Sequence, residues 1–203
     1  MNALDHLIRE PHLTEIDSAL VRGSPARVWE NVRHGALTQA WPVRALFALR
    51  SAFMRDDSSG TVCVDDMQSS EAAPGFQLLI DDPPRQFVVA AIGKVWQLRI
   101  PFVHVADVDA YAAFADPGYA KVAWAIRITP VEDRNTCRVE VELRVHATDE
   151  PAWRRFKRYF RVIAPFSRFI RRSLLRALDK EVDSCANGRG ATLPRPSVHH
   201  RGV

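Results

Sequence analysis

The side chains best suited to metal or nucleophilic chemistry in this sequence are its seven histidines and three cysteines, and their spacing organises neither. Metal sites need ligands that converge, which motifs such as H-E-x-x-H or paired cysteines supply. None occurs: Cys63, Cys137 and Cys185 are scattered, and His199-His200 sits in a Gly/Pro/Arg-rich tail. Serine chemistry lacks its G-x-S-x-G elbow. Ser24, directly before Pro25, has the position of a helix cap instead. Gly188-Arg189-Gly190 precedes no helix, so it is no phosphate-cradling loop. No metal and no nucleotide cofactor is therefore expected. His104 follows a strand end and His146 stands in a row of charged residues, so both read as solvated groups. Tyr119, Lys121 and Arg127 form a polar row opposite Trp124; one would act as proton donor or anion anchor only if strand twist turned it toward a cavity.

Two larger sets remain. Phe87, Trp96, Phe102, Phe114, Trp124, Phe156 and Phe160 are aromatics at strand or helix spacing, the ordinary makings of a core. Arg154, Lys157, Arg158, Arg161, Arg168, Arg172 and Arg176 share one sector of a helical wheel, opposite Phe156, Tyr159, Phe160, Ile163, Ile170, Leu174 and Leu178. Nine of the 28 Lys/Arg fall between Trp153 and Arg176, where there is no Asp or Glu, so the remainder of the chain is slightly acidic. Such a face has three uses. It can solvate the outside of a core helix and pair with the acidic remainder, or meet anionic lipid headgroups at roughly 1 kcal/mol per charge, or bind nucleic acid. The last is disfavoured because no stacking platform or helix-turn-helix accompanies the charge.

The elements that must position these residues follow from periodicity. Residues 12–20 read as a first strand, and Ser24-Pro25 opens a short helix through Val28, Trp29 and Val32 that ends at Gly35. A second helix is predicted from Pro42 to Phe53, then a Ser/Asp/Gly-rich loop with one short strand at Thr61–Val64. Phe76–Ile80, Gln86–Gln97, Leu98–Val103, Tyr119–Thr129 and Cys137–Thr148 are β-branched or aromatic runs separated by turn residues, which predicts an antiparallel meander. Val122, Trp124, Ile126 and Ile128 share one face, as do Cys137, Val139, Val141, Leu143 and Val145. The opposite row, Arg138, Glu140, Glu142, Arg144 and His146, predicts a sheet wet on that side. After Asp149-Glu150-Pro151 an amphipathic pattern runs for about 30 residues, with Pro165 expected to kink it.

A chain of 203 residues, 47% hydrophobic and 26% charged, makes one soluble globular domain and excludes disordered, collagen-like and disulfide-scaffold classes. The N-terminus carries Asp5, Glu10 and Glu15 without a secretory apolar run, and no stretch approaches a membrane span, so a cytoplasmic location is expected.

In Ser24-Pro25-Ala26-Arg27-Val28-Trp29, Pro84-Arg85-Gln86-Phe87-Val88-Val89, the run Phe114–Trp124, Val141-Glu142-Leu143-Arg144-Val145 and the helix Arg154–Leu178, the chain resembles the helix-grip superfamily of START-like and birch-pollen-allergen-like domains. The resemblance, to polyketide cyclase/dehydrase and lipid transport proteins, spans residues 12–184. It implies an α+β helix-grip fold: a curved antiparallel sheet wrapped around a long C-terminal helix, with two short helices after the first strand. Residues 1–11 would be an N-terminal extension and 185–203 a disordered tail. It also implies an internal cavity, lined by Phe87, Trp96, Phe102, Phe114, Trp124, Phe156, Phe160 and Ile163, that binds a hydrophobic small molecule or lipid. The superfamily leaves two alternatives open. One is a cyclase/dehydratase-like enzyme without metal or nucleotide, which needs a polar group inside; the other is a regulatory interaction module without ligand.

Overall fold

A computed structural model of the chain describes residues 3–36, 74–131 and 135–187. The helix expected over 42–53, the short strand at 61–64 and the tail beyond 187 lie outside the described residues. Strand β1 (Leu13–Arg22) alternates half-buried Leu13, Glu15, Asp17 and Ala19 with exposed Thr14, Ile16, Ser18 and Leu20. After it, Ser24 caps α2 (Pro25–Glu30), its Oγ accepting the Arg27 N–H at 3.4 Å. The chain does not stop at Gly35 as the sequence suggested. A π-helical stretch, Asn31–Ala36, carries it past that glycine while burying Val32 beside Val28 and Trp29.

Strands β2 (Gln77–Asp82), β3 (Gln86–Gly93), β5 (Ala120–Val131) and β6 (Thr136–Ala147) join β1 in one antiparallel sheet of order β1-β6-β5-β3-β2, and the two-residue β4 (Phe102–Val103) pairs with β3. The long β5–β6 hairpin is its centre, in register from Ala120 opposite Ala147 to Val131 opposite Thr136. As the alternation predicts, Ile126, Ile128, Cys137, Val139 and Val141 face inward beneath the C-terminal helix α4 (Glu150–Asn187). The run expected over 98–103 is mostly not strand. The chain turns back on itself at 94–101, and Gly93 permits that: a Cβ there would sit 2.9 Å from Ile100 Cγ2 and 3.0 Å from Phe102 Cδ1.

The far side of the sheet corrects the expectation of a wet face. Val88, Ala90, Ile92, Ala123 and Ala125 are buried there under two short helices, α1 (Ala3–Leu7) and α3 (Val108–Ala113). Leu4, Leu7 and Ile8 are part of that second core, so residues 3–8 belong to the fold and are not a mere extension. A sheet with apolar residues on its outer side as well as its inner side must be covered on both. The charged row on β6 is partly buried by the same segment. Arg144 Nη1 donates to Asp5 Oδ1 at 2.7 Å and to the Ile8 carbonyl at 3.2 Å, while its Nε donates to the buried Glu142 at 2.6 Å. Arg127 adds ion pairs to Glu140 and Glu142. Together these chains form the helix-grip architecture, a curved antiparallel sheet holding one long C-terminal helix.

Candidate functional site: the inner face between sheet and helix

The inner face carries two separate clusters. At one end Leu174, Leu175 and Leu178 of α4 pack on Val28, Trp29 and Val32 and on β3, β5 and β6. At the other, Phe156 of α4 packs with Val95, Ala120 and Val145, rimmed by half-buried Trp96, Ile100, Trp153, Tyr159 and Phe160. Trp124, Val122 and Leu143 lie where the clusters meet, on the two central strands, and all three are only half-buried. Their outward neighbours Ala123 and Ala125 are fully buried. The helix matches this seam: between Phe156 and Arg171 no residue of α4 is buried. Helix α4, about 57 Å long at 1.5 Å per residue, is thus seated at both packed ends and thinly covered in the middle.

The candidate lining residues distribute as follows. Phe87 is fully buried, edge-on to both Trp29 (centroids 5.7 Å apart) and Trp124 (5.8 Å). Phe102 meets Phe76 at 5.7 Å, and Phe156 stacks on Phe160 at 5.4 Å. Trp96 rims the Phe156 cluster, and Ile163 is half-buried on the middle of α4. Phe114 is the exception. It lies in the outer-face cluster, edge-on to Tyr119 at 5.5 Å, because it follows α3 and not a strand, so strand parity does not govern where it points.

The polar row of Tyr119, Lys121 and Arg127 also belongs to the outer side. Lys121 is buried, and its Nζ donates to the Ala112 carbonyl at 2.7 Å, closing the C-terminal end of α3; loss of solvation pushes its pKa below the ordinary lysine value. None of the three reaches the inner face.

Polar groups do stand inside, and they are ones the motifs did not single out. Glu15 and Asp17 occupy inward positions of β1. Arg171, only 7% exposed, reaches them from α4: Nε donates to Asp17 Oδ2 at 2.7 Å, Nη1 to Ser167 Oγ at 2.7 Å, and Nη2 lies 2.7 Å from Glu15 Oε2. That last contact is an ion contact without a directed hydrogen bond, which leaves Glu15 Oε2 a buried acceptor. The signal was present in the sequence. On the helical wheel Arg171 falls at the edge of the apolar sector, apart from the other basic residues, and a guanidinium buried there needs a carboxylate partner. Arg168 and Arg172 approach the same two acids at 3.8 Å and 3.6 Å, and Arg154 approaches Glu150 at 3.4 Å. Lys157, Arg158, Arg161 and Arg176 form no ion pair among the described residues. The seven-residue basic face is therefore two groups, one tied to carboxylates and one not.

Among the described residues no group of three or more His, Cys, Asp or Glu converges as metal ligands would. No protein-family model matches the chain, and no curated protein sequence does. Solved structures to which it is similar include protein Ms6760 from Mycobacterium smegmatis, at 14% identity and TM-score 0.42 over 83% of this chain and 89% of that one. Protein MLL2253 from Mesorhizobium loti is similar at 14% identity and TM-score 0.36, over 83% and 98%. Truncated norcoclaurine synthase from Thalictrum flavum is similar at 11% identity and TM-score 0.38, over 84% and 94%.

Proposed function

We propose that this protein binds a hydrophobic small molecule or lipid between the inner face of the sheet and the middle of α4. The observation that supports this most directly is the half-burial of Trp124, Val122 and Leu143 on the two central strands, opposite a helix span with no buried residue. In a filled core the central strand is the most buried element on both faces. Here Ile126, Ile128, Val139, Val141 and Val145 keep that burial on the inner side, and it lapses at Val122, Trp124 and Leu143 between them. Aromatic and aliphatic walls with few polar groups suit an apolar ligand, held by area burial at about 25 cal/mol per Å². Native mass spectrometry of the purified protein, with titration of an environment-sensitive hydrophobic dye read through tryptophan fluorescence, tests this. Co-purifying lipid or saturable dye binding that weakens in Trp124→Ala is expected. No adduct from any extract together with no saturable binding overturns it.

A cyclase/dehydratase-like activity on the bound molecule is the second reading, and Glu15 favours it. Its Oε2 is an inward, buried acceptor with no directed hydrogen bond, the kind of group that could take a proton from a bound substrate. Binding ranks first because Arg171 already engages both Glu15 and Asp17, giving those carboxylates a structural task. The binding protein is expected to act in the cytoplasm.

A further inference from the structure

The outward side of α4 carries a feature separate from the inner face. Val162 is 69% exposed and Phe166 58%, one helical turn apart, and Phe169 at 45% continues the row. A core helix has no structural reason to turn three large apolar side chains to water in sequence. They stand among cations. Arg158 precedes Val162 on the same side of the helix and exposed Arg161 lies about a quarter turn round from it; neither makes an ion pair among the described residues, and no acidic residue lies anywhere from Trp153 to Arg176. By contrast, Arg168 and Arg172 lean toward Glu15 and Asp17 on the β1 side of the helix.

We propose that the outward face of α4 around Arg158, Arg161, Val162 and Phe166 docks on the surface of an anionic lipid bilayer, the two apolar side chains inserting below the headgroups and the two guanidiniums meeting their phosphates. Unpaired positive charge with interleaved apolar groups matches a surface that is negative on top and apolar beneath. A nucleic-acid backbone offers the negative charge without the apolar layer, so it leaves Val162 and Phe166 without a use. No described helix is long and apolar enough to cross a membrane, so the contact is one of lying on the surface. The inference does not depend on what the inner face binds, because all four side chains are exposed to solvent.

Flotation with vesicles tests it on the full chain. Binding is expected to vesicles of phosphatidylcholine and phosphatidylglycerol in equal parts, not to phosphatidylcholine alone, and to weaken as ionic strength rises from about 0.1 M to about 1 M, where the Debye length falls from about 10 Å to about 3 Å. Arg158→Glu with Arg161→Glu should lower binding by at least about tenfold. Val162→Ser with Phe166→Ser should lower it severalfold at unchanged salt dependence. Both double variants should melt as the wild type does, since all four side chains are exposed. The proposal is overturned if the wild type binds neither vesicle, if the serine variant binds as well as wild type, or if duplex DNA displaces the protein from the vesicles.

Discussion

Tyr111 of α3 is wholly buried in the outer-face cluster, and its hydroxyl has no hydrogen-bond partner among the described residues; burial holds its pKa well above the ordinary tyrosine value. A buried, unpartnered hydroxyl costs about 1–3 kcal/mol. Tyr111→Phe keeps the ring, over which Lys121 Nζ sits at 5.2 Å, and removes the orphaned oxygen. The variant should melt a few degrees higher, at about 2–4 °C per kcal/mol for a chain of this size; a lower melting temperature by circular dichroism would reject the assignment. His12 is strained in a different currency. Its Nδ1 accepts the Ala147 N–H at 3.1 Å, and its ring lies 4.9 Å from Trp153 and 4.7 Å from His146. Loss of solvation lowers its pKa from the ordinary 6.5, His146 adds to this, and Glu150 opposes it. Between the lowered folded value and 6.5 the unfolded chain binds more protons, so stability is complete above 6.5 and is lost as pH falls through the folded value. His12→Asn retains a short acceptor without that titration. Its melting temperature should fall less than the wild type's between roughly pH 7.5 and pH 5.5, and equal slopes would show that His12 contributes nothing to the acid sensitivity.

Elements with a long, regular period were readable from sequence, and those whose reason lies in tertiary packing were not. The β5–β6 hairpin and α4 each repeat their pattern over ten residues or more, and the structure keeps the predicted facing of Ile126, Ile128, Val139, Val141, Phe156, Leu174 and Leu178. Helix α1 has only five residues, and its Leu4 and Leu7 look like an unremarkable polar-apolar mixture until a sheet lies beneath them. Helix α3 left a trace: Asp107 caps it, Oδ1 accepting the Ala110 N–H at 2.7 Å, and Val108 and Tyr111 stand at helical spacing. They fall between the predicted strands 98–103 and 119–129, in a stretch to which the periodicity assigned no element. Phe114, which the resemblance implied for the cavity lining, lies in the outer-face cluster beside that helix. For the candidate site, the inward facing of Val122, Trp124 and Leu143 was legible through parity, whereas the Glu15–Asp17–Arg171 group joins residues more than 150 positions apart and only a charged residue at the edge of the apolar helix sector hinted at it.

At the scale of the whole molecule the sheet is a shared middle layer. Its inner side carries α2 and α4, its outer side α1 and α3, and neither core is complete without it. The outer side is densely filled: Val88, Ala90, Ala123 and Ala125 are fully buried, and the Arg144 contacts to Asp5 and the Ile8 carbonyl fasten the first residues across β6. This makes a specific demand on cooperativity. Leu7 sits in the outer core and Leu178 in the inner one, both essentially inaccessible. Truncating a buried leucine to alanine costs about 2–5 kcal/mol, and distant sites that share no partner add to within about 0.5 kcal/mol. If the sheet couples the layers into one folding unit, Leu7→Ala and Leu178→Ala should each lower the denaturation midpoint in a single transition, with the double variant near the sum. Far-ultraviolet circular dichroism and tryptophan fluorescence should then report the same midpoint, since the tryptophans of the inner side unfold together with the strands that carry both cores. A Leu7→Ala protein that melts like wild type, or two probes that separate, would mean that α1 is an appendage and that the inner layer is stable on its own.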